Sequence, residues 1–148
     1  MRDPASSVLA YLASLARQLS DFGVEYIILV MLMELEISEK YDGFEYLRTA
    51  IYIFCEEPER LVSQSLYSAV ASQCGRRVSE AAVERAIRTA IETAWKNHSE
   101  MWHVFFPSRE RPSNIKFVAR MAKCLELWKE CCKVYKQQSS KEVAQSEK

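Results

Sequence analysis

Apolar residues in this chain return every three or four positions: Val8, Leu12, Leu15 and Leu19; Phe44, Leu47, Ile51 and Phe54; Val83, Ile87, Ala90 and Ala94. That interval places them on one face of an α-helix, and the two-residue alternation of a half-buried strand is scarce. Three glycines and four prolines in 148 residues leave little material for tight β-turns. The pattern predicts an all-α fold, and 148 residues suffice for one domain with a real core. About six to seven helices are expected.

A first amphipathic helix is predicted over 5–20, broken by Asp21-Phe22-Gly23. Its stripe either docks on the domain or forms a dimer seam. A second helix is predicted over 24–37, although YIILVMLM (26–33) fits a buried strand equally well by pattern. A third carries the Phe44 stripe to Cys55. Pro58 suits the first turn of a fourth helix reaching Cys74, with Leu61, Val62, Leu66, Ala69 and Val70 as its buried side. Gly75 then closes it in the left-handed conformation. Ser79 is a good N-cap for a fifth helix over 79–95, with Val78 and Val83 flanking the cap as a hydrophobic staple. A short apolar segment follows over 98–106, then the loop PSRERP (107–112). Ser113 caps a last helix with the stripe Val118, Met121, Ala122, Leu125, Trp128, Cys132 and Tyr135. The expected organisation is an N-terminal amphipathic helix within 1–23, a domain over 24–136, and a disordered tail over 137–148, where QQSSKEVAQSEK has no apolar period.

Several function classes recede on composition. The longest apolar run, eight residues, is far short of the roughly 20 that span a bilayer, so no membrane association is expected. The N-terminus lacks the layout of an export signal, and a cytoplasmic location is expected. Five cysteines without a C-x-x-C pair read as reduced thiols rather than a disulfide framework. His98 and His103 sit near aromatic residues without ligand spacing, and the three glycines are isolated, so no phosphate loop exists. No enzyme, metal or cofactor is expected. Net charge is zero, but residues 1–60 hold 5 basic and 11 acidic residues while 61–148 hold 15 basic and 9 acidic. The chain has an acidic half and a basic half.

The stretch VSEAAVERAIRTAIETAW (78–95) lies in the basic half. At about 100° per residue, Glu84, Arg85, Arg88 and Glu92 share the side opposite the apolar stripe. Helix 58–74, the turn 75–78 and helix 79–95 together have the outline of a helix-turn-helix, although the turn is slightly longer than usual. A recognition helix in the major groove touches bases mainly with its N-terminal half, where Arg85 and Arg88 stand. Arginine's fork matches guanine O6 and N7, and a carboxylate such as Glu84 can accept from cytosine N4 or hold Arg88 four residues on. Arg76, Arg77 and Ser79, with the free N–H groups of the helix start, would meet phosphates. The alternative is an ordinary solvated face with one i,i+4 ion pair.

GFEYLRTAI (43–51), the helix around Leu66-Tyr67, VERAIRTAIETAW (83–95) and RPSNIKFVARMA (111–122) together resemble the C-terminal effector domain of the sporulation response regulator, stage zero sporulation protein A, over most of 24–128. The resemblance implies an all-helical domain of about six helices with a helix-turn-helix that binds double-stranded promoter DNA. It implies base contacts by Glu84, Arg85 and Arg88. Thr89 stands where the best-known members have histidine, and a backbone contact is expected there. The resemblance further implies contact with RNA polymerase sigma factor through 97–106 and pairing of two domains on DNA through the last helix. Loop 107–111 is several residues shorter than in the family. About 23 residues precede the matching region, too few for the family's receiver domain. Two functions are therefore expected in competition: a DNA-binding transcription regulator, or a protein of the same fold that antagonises a full-length regulator or RNA polymerase without activating.

Overall fold

The computed structural model describes residues 4–75 and 78–146. Among them lie seven α-helices and no strand: α1 (Pro4–Leu19), α2 (Val24–Glu34), α3 (Asp42–Glu56), α4 (Leu66–Gln73), α5 (Glu80–Asn97), α6 (Glu100–Phe105) and α7 (Asn114–Ser146). The segment that fitted a strand or a helix is a helix. Its Ile27, Ile28, Met31 and Leu32 are all buried, which needs one wide apolar face rather than alternation. No described helix is long and apolar enough to cross a membrane.

One core unites the chain. Helix α3 is its hub, packing on α2, α4, α5 and α7. The stripe of α1 docks rather than standing free: Val8, Leu12, Leu15 and Ala16 are buried, and α1 packs on α7 and α6. Tyr11 meets Phe105 edge-on at 5.5 Å. Phe106, Phe117 and Trp102 stack on one another, with ring centroids 4.8–5.9 Å apart, and join α6 to α7.

Two expectations are corrected. The helix predicted from Pro58 to Cys74 is two pieces, a 3₁₀ segment Pro58–Val62 and then α4. The Ser65 hydroxyl accepts from the Ser68 N–H at 3.0 Å, so a new N-cap starts the helix there. Val62, expected in the core, is 89% exposed in consequence. The tail beyond 136, expected to be disordered, is helical to Ser146. Its side chains are exposed, consistent with the missing apolar period. Lys, Glu, Gln and Ala favour the helix, and no Gly or Pro stops it.

Candidate nucleic-acid interface

Helix α5 is fixed by its apolar side. Val83, Ile87, Ala90, Ile91 and Ala94 are buried against α3, α4 and α7. Its start is set as the sequence predicts: the Ser79 hydroxyl accepts from the Ala82 N–H at 3.1 Å, and Glu80 lies in the first turn, where the helix dipole favours an anion. Before it, Gly75 takes φ +66° after α4, as expected of a residue closing a helix. The close approach of α3 to α5 rests on another glycine. A Cβ on Gly43 would strike the Ala86 carbonyl oxygen and lie 2.9 Å from the Ala90 Cβ. Glycine at 43 thus sets how deeply α5 sits.

The other side of α5 faces solvent. Arg85, Arg88 and Thr89 are exposed, and Glu84 is half-buried. The Arg88 guanidinium donates to Glu84 Oε1 at 2.9 Å. Such an i,i+4 pair contributes only tenths of a kcal/mol to stability, but it fixes the direction of Arg88. Arg85 makes no hydrogen bond or ion pair among the described residues and projects unpartnered. The Thr89 carbonyl accepts from the Thr93 hydroxyl at 2.9 Å. Arg76 and Arg77 lie outside the described residues.

A second wall flanks this face, and sequence reasoning assigned it no part in the site. Arg111 donates to Glu92 Oε2 at 3.2 Å. The Trp95 indole N–H donates to the Arg109 carbonyl at 3.1 Å, strapping the loop before α7 along α5. Lys96 also pairs with Glu92 at 3.2 Å. The hydrogen bond from Lys96, then the charges of Arg111 and Arg88, hold the Glu92 carboxyl below the usual carboxylate range. Asn114, the only buried polar residue among those described, locks the corner. Its carboxamide donates to the Tyr67 hydroxyl at 3.2 Å and to the Glu84 carbonyl at 3.1 Å, joining α4, α5 and α7. Between the walls runs a groove of about 260 Å³ lined by Tyr67, Glu84, Arg88, Ile91 and Arg111. The only hint in the sequence was the RPSN run (111–114), and nothing in it names the partners.

His98 and His103 stack at 5.8 Å near Trp95. Among the described residues no three His, Cys, Asp or Glu side chains form a group that could hold a metal.

With this geometry in place, the comparison with known families is direct: the family described as "Sporulation initiation factor Spo0A C terminal" matches residues 28–125. The chain belongs to the Spo0A C-terminal family. Membership places it among DNA-binding domains of transcription regulation in sporulation, with an all-α fold. The match runs from within α2 to within α7 and takes in all of α3 to α6, hence both walls of the groove. Helix α1 and the part of α7 beyond Leu125 lie outside it.

Proposed function

We propose that this Spo0A-family domain regulates transcription by reading DNA sequence with α5 laid in the major groove. The observation that carries the proposal is the pairing of an aimed Arg88, held 2.9 Å from Glu84, with an unpartnered Arg85 on the exposed face of a helix anchored by its buried side. Each arginine can grip a guanine edge bidentately, and such a pair discriminates by about 1–3 kcal/mol. Glu84 accepts from a cytosine amino group or orients Arg88. Helices α4 and α5 act as the helix-turn-helix, and Arg76, Arg77, Ser79 and Thr89 contact the phosphate backbone. The strapped loop keeps α5 rigid, so little ordering cost falls on binding. Segment 97–106, with His103 and Glu100 exposed, is the surface offered to RNA polymerase sigma factor, and copies pair when they bind neighbouring sites.

The test is a titration of Arg85→Ala against two duplexes, one enriched from a random pool by the wild-type protein and one of scrambled sequence. Loss of 1–3 kcal/mol corresponds to about 5–150-fold weaker binding to the enriched duplex, with a much smaller change on the scrambled one. Equal loss on both duplexes would reduce Arg85 to a phosphate contact. Binding should also weaken steeply with salt, because phosphate contacts release counterions.

A further inference from the structure

The loop that straps α5 also closes a second cavity, between the end of α6 and the start of α7. Its volume is about 470 Å³, within the range of small-molecule sites. Phe106, Pro107 and Pro112 give it apolar walls, while Arg111, Lys116 and Arg120 bring three cations against one carboxylate, Glu110. Arg120 is half-buried. Its Nε donates to the Phe105 carbonyl at 3.0 Å, and it makes no ion pair among the described residues. The Lys116 backbone N–H donates to the Ser113 hydroxyl at 3.2 Å, but its ammonium group has no hydrogen bond or ion pair among the described residues. A guanidinium partly withdrawn from water without a counter-charge is costly, and an anion beside it removes that cost.

We infer that this cavity is an effector site for a small organic carboxylate with an aryl body. The surplus of cations selects negative charge, and the planar fork of arginine matches the two oxygens of a carboxylate. The apolar walls select what carries that charge. A DNA backbone is polar on every side and gains nothing from Phe106 and the prolines, whereas an aryl group buried there leaves water. Arg111 ties the cavity to the α5 face. It lines both this cavity and the groove beside α5, and it pairs with Glu92 at 3.2 Å with both side chains 39% exposed, a contact weak enough to exchange. A carboxylate that draws Arg111 away leaves Glu92 with Lys96 alone among its ion-pair partners. Negative charge then rises beside Arg88, where DNA approaches, so the ligand weakens DNA binding and DNA weakens ligand binding by the same factor. This coupling rests on the reading of DNA by α5; the ligand site itself does not.

A heteronuclear NMR titration of the full chain with naphthylacetate tests the site. Shifts are expected at the backbone amides of Ser108, Glu110, Lys116 and Arg120, with a dissociation constant below about 1 mM for a ligand of this size. Naphthylacetamide, which has the same body without the charge, should bind at least about tenfold more weakly. Lys116→Gln, an exposed change that leaves the fold intact, should weaken naphthylacetate at least about threefold, and Arg120→Gln more. Saturating naphthylacetate should also weaken binding to an enriched duplex by about three- to tenfold, an effect absent from Arg111→Gln. No shifts at these amides up to about 10 mM overturn the inference, and so does an amide that binds as well as the acid. If Lys116→Gln and Arg120→Gln weaken binding to enriched and scrambled duplexes alike while naphthylacetate binding holds, the cations are phosphate contacts and the inference falls. Naphthylacetate seated in the cavity with DNA affinity unchanged overturns the coupling. A chain that binds naphthylacetate as expected but does not discriminate between the duplexes supports the site and counts against α5 as the reader.

Discussion

Gly43→Ala is a one-methyl change that tests whether α5 is seated by the contact described above. The new Cβ would lie 2.9 Å from the Ala90 Cβ, where ordinary contacts are 3.4–4 Å, and closer still to the Ala86 carbonyl oxygen. Neither neighbour can rotate away: one is backbone and the other is the first atom of its side chain. The helices must therefore separate by roughly half an ångström to one ångström, and overpacking of this kind costs about 1–3 kcal/mol. Alanine recovers part of that through helix propensity, up to about 1 kcal/mol in a helix interior and less in a first turn. The net expectation is a loss of about 1–2 kcal/mol, read as a lower urea midpoint at unchanged m-value, or as a fall of about 3–8 °C in Tm for a chain of this length. Ala90→Gly in the same chain removes the side-chain half of the clash, so the double variant should show positive coupling. A midpoint equal to or above wild type would show that α3 and α5 adjust freely, and that the seat of α5 is not set here.

Further outcomes follow from the packing. Asn114→Ala should cost about 1–3 kcal/mol by stranding buried polar groups of α4 and α5, and Asn114→Asp should cost more because it sets a carboxylate against the Glu84 carbonyl; urea unfolding of the pair checks both, and equal stability of all three chains would refute the corner lock. Burial and then the hydrogen bond to Glu126, 3.0 Å away, push the Cys55 thiol up to about 12, so at pH 8 it should alkylate at least about 100-fold more slowly than free cysteine. The same raised value contributes stability that is intact below the unfolded thiol value of about 8.5 and lost as pH climbs toward 12. Glu126 works in the opposite sense: the Cys55 thiol, then Lys129, hold it low, so its contribution is present above the ordinary glutamate value and lost in acid. An ordinary alkylation rate at Cys55 would contradict the contact with Glu126.

What could be read in advance was local. The stripe of α5, its Ser79 cap, the left-handed Gly75 and the Glu84–Arg88 pair all depend on residues within four positions of one another, and helical periodicity reports such relations directly. The 3₁₀ break escaped because Leu61 and Val62 continue an apolar spacing, while Ser65 is one serine among several until its hydroxyl is seen to cap α4. The helical end of α7 escaped because a missing apolar stripe says that a segment is not buried, not that it is unwound. The second wall of the site was out of reach for a different reason. Asn114 meets Tyr67 across 47 positions and Glu84 across 30, and Arg111 meets Glu92 across 19. Contacts at that range are set by how whole helices cross. Gly43 is a similar case, since its lack of a side chain acquires meaning only when α5 lies against it.

The central claim is that forked donors on α5 carry the sequence information. Parallel selection of bound duplexes from a random pool by the wild-type chain and by Arg85→Lys tests it most directly, because lysine keeps the charge but loses the bidentate fork. The account predicts that the wild-type chain enriches a motif containing a guanine that becomes degenerate in the variant, while affinity for unselected DNA holds. The same motif recovered by both proteins, at equal information content, would contradict it.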